Sequence, residues 1–169
     1  NRPVALWRPL NNQQRQALSK KAEGLLDAVM AASRRLPARK EVVVVGAGLA
    51  GIYAATYFAA AGVDLALLER THTAGGVWRS YGNAFSRVNS TEPGYRLRLK
   101  QHRTYLNPNH SHHHEILNDC LRAFDQFGLE GSTFPGIELT AIAPAQSGGI
   151  WRISALQKGE RVSTSCGWV

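Results

Sequence analysis

Apolar positions along this chain change period several times, and each change marks an element. Between residues 13 and 36, Leu18, Ala22, Leu25, Val29 and Ala32 recur at spacings of three and four. That spacing predicts a helix face, with Lys20, Lys21, Asp27 and Arg34 mostly elsewhere and Pro37 as the stop. Residues 41–45 carry four valines in succession, the mark of a strand buried on both faces in a parallel sheet. A glycine-rich stretch at 46–51 follows, then an alanine-rich helix at 52–61, a stop at Gly62 and a second strand at 63–68. Strand, loop, helix and strand within about thirty residues form one βαβ unit.

Downstream the pattern loosens. Residues 71–94 hold the breakers Gly75, Gly76, Gly82, Asn83, Asn89, Pro93 and Gly94, and read as a long loop. Residues 95–100 alternate apolar and basic side chains, a short strand pattern, and 107–111 form another break. A helix is expected at 113–127, with Ile116, Leu117, Cys120, Leu121, Phe124 and Phe127 on its apolar side and Gly128 at its end. Strands are expected at 133–142, 149–156 and 161–169, the last two joined as a hairpin through Lys158 and Gly159.

Composition narrows the class. The 169 residues are 44% apolar and 19% charged, as in a globular protein, and no apolar run is long enough to span a membrane. The net charge of +8 divides unevenly: residues 1–40 carry +7 and residues 41–169 only +1. The basic character thus belongs to an N-terminal extension, and no nucleic-acid partner is expected for the body. The extension reads as a solvated helix face, a patch for an acidic partner or an upstream domain, or the remnant of an Arg-rich organellar targeting segment. Two domains follow: a basic helical extension at 1–40 and a nucleotide domain at 41–169. Cys120 and Cys166 have no metal-type spacing and fit a reducing, cytoplasmic setting.

The candidate chemistry lies in Val45-Gly46-Ala47-Gly48-Leu49-Ala50-Gly51, a GxGxxG stretch placed after a buried strand and before a helix. Gly46 permits a tight turn, Gly48 lets a pyrophosphate approach the backbone, and Gly51 lets the helix pack against the strand. The phosphates would sit on free N–H groups at the helix N-terminus, with Leu49 and Ala50 in that first turn. Glu69 ends the second strand, 18 residues after Gly51. A carboxylate there accepts ribose hydroxyls and repels a 2′-phosphate, so FAD or NAD is favoured over NADP at this site. The fold class expected is α/β: a Rossmann-type FAD/NAD(P)-binding domain with a parallel sheet, a βαβ unit and a C-terminal β-hairpin, preceded by a helix. A plain strand-end charge and a plain glycine turn are the structural alternatives.

Glu69-Arg70 followed by Gly75-Gly76-Val77-Trp78 resembles the ERxxxxGGxW stretch of flavoproteins. From about residue 41 onward the chain resembles the N-terminal part of the flavin-containing monooxygenases, a family that also resembles Baeyer–Villiger monooxygenases. The resemblance implies FAD as cofactor, with Gly76, Val77 and Trp78 on its flavin side. It further implies NADPH and O2 used to oxygenate a soft nitrogen or sulfur nucleophile, or a carbonyl, in a small-molecule substrate. It assigns Asn89 to a catalytic place beside the flavin, where a neutral amide donates a hydrogen bond without removing a proton; a turn cap is the alternative. Arg70 would lie against the adenine or its ribose, or be a solvated charge. Trp78 would cover the flavin or fill core.

The family's second glycine motif, which opens its NADPH domain, does not occur in this sequence. The chain is therefore expected to be a fragment or a shortened form that binds part of FAD at best and does not turn over with NADPH. A missing central strand is expected to leave one flank of the sheet unpaired. Another two-dinucleotide flavoprotein, such as an amine oxidase or reductase, and a non-catalytic nucleotide-binding module are the rival readings. His110, His112, His113 and His114 with Glu115 suggest a metal, but lack a partner motif of the HExxH type; a polar helix start is expected instead, with no metal.

Overall fold

The computed structural model describes residues 10–32, 34–89, 110–145 and 148–169. The expected strand at 95–100 lies outside the described residues. Helix α1 spans Asn12–Val29. Asn11 starts it: its side chain accepts from the Gln14 amide at 2.8 Å, and the Gln14 side chain accepts from the Asn11 amide at 2.9 Å, a reciprocal cap. The helix ends well short of the expected stop at Pro37. Residues 34–37 are instead drawn across to the C-terminal strands, where Gln157 donates to the Arg34 carbonyl at 2.6 Å and Leu36 is buried. The inward face is also rotated from the expected one. Ser19, Ala22 and Leu26 are buried on α1, while Leu25 is 47% exposed.

Strand β1 (Arg39–Val45), helix α2 (Leu49–Ala60) and strand β2 (Leu65–Glu69) realise the βαβ unit. β1 and β2 pair in parallel, Val42 opposite Leu65 through Val45 opposite Leu68. A short helix α3 (Val77–Ser80) and helix α4 (His113–Phe127) follow, the latter ended by Gly128 at φ +60°. The strand expected at 133–142 is two strands. β3 (Thr133–Pro135) pairs in parallel with β2, and β4 (Ile137–Pro144) pairs antiparallel with β5 (Trp151–Gln157). Gly136, at φ +70°, divides them; a Cβ there would lie 2.7 Å from the His72 ring. β5 turns through Lys158 and Gly159, both at positive φ, into β6 (Glu160–Trp168), a two-residue hairpin as expected.

The strand order is β3-β2-β1-β6-β5-β4. Since β3 and β4 are outermost yet joined by one residue, the sheet curls until its ends approach each other. The flank of β1 expected to be bare is partly covered: β6 runs parallel to it, with Arg39, Lys40 and Val42 opposite Ser165, Cys166 and Trp168. Val45, beyond that pairing, is 44% exposed.

Alternation along β1 and β2 builds two cores. Val42, Leu65 and Leu67 face α1, α2 and α4, where they meet Leu26, Ile52 and Leu117. Val43, Ala66 and Leu68 face the hairpin, meeting Ile137, Ile153 and Cys166. Both faces of β1 and β2 are thus covered, which is why their sequences are apolar without interruption.

Candidate dinucleotide site

The carboxyl ends of β1 and β2 carry the glycine loop and Glu69, the place where open parallel sheets bind ligands. Gly46 continues the ladder, its amide donating to the Leu68 carbonyl at 2.7 Å, then turns at φ +93°. Gly48 precedes α2 in extended backbone, and no side chain caps the first turn formed by Leu49, Ala50 and Gly51. Those N–H groups and the helix dipole suit an anionic group. A Cβ on Gly51 would fall 1.8 Å from the Gly46 carbonyl oxygen, so α2 can rest on the loop only through a glycine.

The second glycine segment closes onto the first. The Gly75 amide donates to the Ala47 carbonyl at 2.8 Å. Gly76 adopts φ 54°, ψ −131°, a region open essentially only to glycine, and a Cβ on it would lie 2.9 Å from the Gly48 Cα. The absence of a side chain at Gly76 is therefore also what lets the two loops meet backbone to backbone.

Glu69 points into this loop. Its Oε2 accepts from the Ala47 amide at 2.8 Å, and its Oε1 accepts from the Thr71 amide and hydroxyl at 2.8 and 2.9 Å. Of the other expected site residues, Arg70 and Ala50 are exposed, Val77 is 67% exposed, and Leu49 and Trp78 pack partly against the first core. Asn89 is exposed, one residue past a short bridge. In that bridge the Val88 amide donates to the Ser111 carbonyl at 2.9 Å, and the His113 amide donates to the Ser86 carbonyl at 3.0 Å. Glycine loop, Glu69 and the Gly75–Gly76 turn are thus brought together, while the residues just before Asn89, Ser86 and Val88, are bonded to the start of α4.

The histidine run is the polar helix start expected, with His112 as N-cap of α4 and Glu115 completing a capping box, and it is a buried one. Ser111, His112, His113, His114 and Glu115 are all buried. His113 is completely so, with Nδ1 3.0 Å from the Ser19 hydroxyl and Nε2 2.7 Å from the Trp78 carbonyl oxygen. Among the described residues no three His, Cys, Asp or Glu side chains are grouped as a metal would require. His112 stacks on His114 and faces the Arg87 guanidinium at 2.8 Å. Burial, the Arg87 and Arg15 charges and His114 push His112 down to about 4. Burial, His113 and Arg15 lower His114 as well. Since the unfolded chain takes up a proton near the ordinary value of 6.5 and the folded chain only near 4, stability falls as pH drops across that window. The loss expected is on the order of 2 kcal/mol. Chemical denaturation at pH 7 and pH 4.5 measures it, and His112→Asn should flatten the dependence; an unchanged slope in that variant counts against this assignment.

Sequence reasoning did not reach the roles of Asp27, Thr73, Arg79 or His113, since each acts through a partner far away in the chain, which periodicity and spacing do not register. It also missed Thr71, which bonds Glu69 two residues before it.

A buried parallel strand, a glycine turn onto a helix, and an acidic side chain closing the neighbouring strand define a Rossmann-like dinucleotide domain. Residues 44–120 match the family model described as the NAD(P)-binding Rossmann-like domain. No curated protein matches the sequence. Among solved structures, the polycyclic ketone monooxygenase of Thermothelomyces thermophila superposes with a TM-score of 0.69 at 16% identity, over 92% of this chain and 31% of that one. A steroid monooxygenase bound to NADP superposes at 0.63 and 25% identity, over 75% of this chain and 25% of that one. OTEMO in complex with FAD and NADP gives 0.56 and 23% identity, over 78% and 25%. The chain spans about a quarter to a third of these structures' length. The fold implied by the resemblance to flavin-containing monooxygenases is the fold found. No helix among the described residues is long and apolar enough to cross a membrane.

Proposed function

We propose that this chain is the FAD-binding portion of a flavin-dependent monooxygenase, one that uses NADPH and O2 to oxygenate a small nitrogen, sulfur or carbonyl substrate. The observation that carries the reading is the backbone contact between Gly48 and Gly76 beside the Glu69 carboxylate. Two glycine loops meet there with no Cβ at Gly48 or Gly76, and the uncapped first turn of α2 supplies donors. That donor set fits a pyrophosphate, with Gly46, Gly48, Leu49, Ala50 and Gly51 around it. Glu69 has about one acceptor position beyond its three internal bonds, suited to a ribose hydroxyl. Arg70 would flank the adenosine, and Gly76, Val77 and Trp78 the flavin side. FAD, when bound, supplies hydride acceptance and oxygen activation; the chain's own residues bind it, orient it and limit water. Asn89 would donate a hydrogen bond at the flavin.

The purified chain should be yellow and release FAD on denaturation. NADPH should leave it oxidised, because no second glycine motif is present in these residues; rapid bleaching would show that NADPH is handled here after all. Glu69→Ala should weaken FAD binding about 10- to 100-fold, the worth of one or two charge-assisted hydrogen bonds, by fluorescence quenching titration. Unchanged affinity in that variant would remove the ribose assignment.

A further inference from the structure

Helix α1 lies before the nucleotide fold in the chain, yet one of its side chains holds the cofactor loop. Asp27, two residues before the helix end at Val29, accepts the Thr73 hydroxyl at 2.8 Å on Oδ1. The same carboxylate receives a two-pronged Arg79 guanidinium, 3.3 Å to Oδ1 and 2.7 Å to Oδ2. Thr73 and Arg79 stand on either side of the Gly75–Gly76 turn. A single carboxylate therefore ties both ends of that turn to α1, and the turn is the segment that rests on Gly48.

We propose that Asp27 is a positioning residue for the cofactor: it sets the Gly75–Trp78 turn against the first glycine loop, making α1 a part of the site. The assignment deepens the flavin reading above and rests on it for the identity of the ligand. Three observations support it. First, Gly76 adopts a conformation that only glycine takes readily, and a residue without a side chain does not fix its own turn, so the geometry there has to be set by its neighbours. Second, Gly75 is packed tightly, a Cβ there lying 3.1 Å from both Arg79 Cβ and Leu117 Cδ2, so movement of Arg79 is transmitted directly to the turn. Third, the pair is partly open to water, with side-chain exposures of 25% for Arg79 and 45% for Asp27. Such an ion pair adds little to global stability, so the clamp's consequence is local geometry. Burial raises the Asp27 carboxyl, but the bonds from Arg79 and Thr73 and the Arg79 charge outweigh it and hold it below its ordinary range.

Asp27→Asn keeps the size and one oxygen but breaks the fork to Arg79. In the ligand-free 169-residue chain, amide hydrogen exchange at residues 75–80 should quicken about tenfold, while β5 and β6 keep their protection. In the FAD-loaded chain, the dissociation constant should rise about tenfold and the resolved shoulder of the flavin absorption band should blur. Arg79→Gln should reproduce both effects, and the double variant should add nothing further, since both substitutions remove the same fork. Unchanged exchange at residues 75–80 would overturn the clamp whatever FAD does. Altered exchange with no FAD binding by any form, the unsubstituted chain included, would overturn its role toward the cofactor and the flavin reading with it, leaving a purely structural tie. Normal FAD binding that is lost in Glu69→Ala but untouched in Asp27→Asn would overturn the positioning role alone.

Discussion

Gly51→Ala is expected to cost the fold about 3 kcal/mol and to abolish cofactor retention, the largest effect of an added methyl group among the described glycines. The added Cβ would stand 1.8 Å from the Gly46 carbonyl oxygen, 3.1 Å from its carbon and 3.6 Å from Val44 Cγ1. The carbonyl is backbone, and it cannot swing away as a side chain end would. Its neighbour Ala47 is fully buried, with its amide bonded to Glu69 and its carbonyl bonded to the Gly75 amide. Helix α2 must therefore lift off the loop, opening contacts of Ile52 and Ala55 with the first core and moving the first-turn amides out of line. Equilibrium unfolding in urea measures the stability loss, and FAD co-purification measures the site. A Gly51→Ala protein with unchanged midpoint and bound flavin would contradict the close packing of α2 on this loop.

His113→Leu is expected to cost about 2–4 kcal/mol, because it removes two hydrogen bonds made to polar groups inside the protein. The imidazole joins three elements: Ser19 on α1, the Trp78 carbonyl at α3, and its own helix α4. Gly82 presses on the ring from outside, where a Cβ would lie 2.6 Å from Cδ2, so the site has no slack for a water to replace the lost nitrogens. Leucine preserves apolar volume but takes the imidazole bond away from the Ser19 hydroxyl and the Trp78 carbonyl. Ser19→Ala should cost less, about 1 kcal/mol, and should cost almost nothing in a chain that already carries His113→Leu. Additive losses in the double variant would show that the two side chains do not share one bond. The same substitution should loosen residues 78–82, since His113 holds the Trp78 carbonyl within the segment whose flanks, Thr73 and Arg79, are tied to Asp27.

Much of this architecture was legible in the linear pattern because it depends on local rules. Four consecutive valines announced a strand covered on both faces, and β1 is covered by helices on one side and the hairpin on the other. The apolar positions of 113–127 and the stop at Gly128 placed α4 to the residue. Lys158 and Gly159 announced a two-residue hairpin. Glycine spacing placed the loop, since only the missing Cβ at Gly51 permits the close helix packing.

Where local pattern was misleading, a distant partner had overruled it. Residues 30–36 have the composition of a helix, yet Leu36 finds deeper burial beside β5 and Gln157 bonds the Arg34 carbonyl. Residues 133–142 look like one strand, yet Gly136 hands the chain from one end of the sheet to the other. Charge along α1 suggested a solvated or tethering helix; its polar side chains Ser19 and Asp27 turned out to be what the loop and α4 bond to. The histidines read as a polar helix start, which they are, but the pattern did not show their burial, which is possible because His113 is satisfied by groups 94 and 35 residues away.

The sequence by itself determined the βαβ unit, the glycine loop and the acidic strand end, since period, turn chemistry and the need for a missing Cβ are properties of neighbouring residues. Only the tertiary structure decided that the two glycine loops touch, that Glu69 turns inward to Ala47, and that α1 grips the Gly75–Gly76 turn. Those contacts bring together groups 22 to 52 residues apart, and their energy exists only once the sheet and helices have placed them side by side.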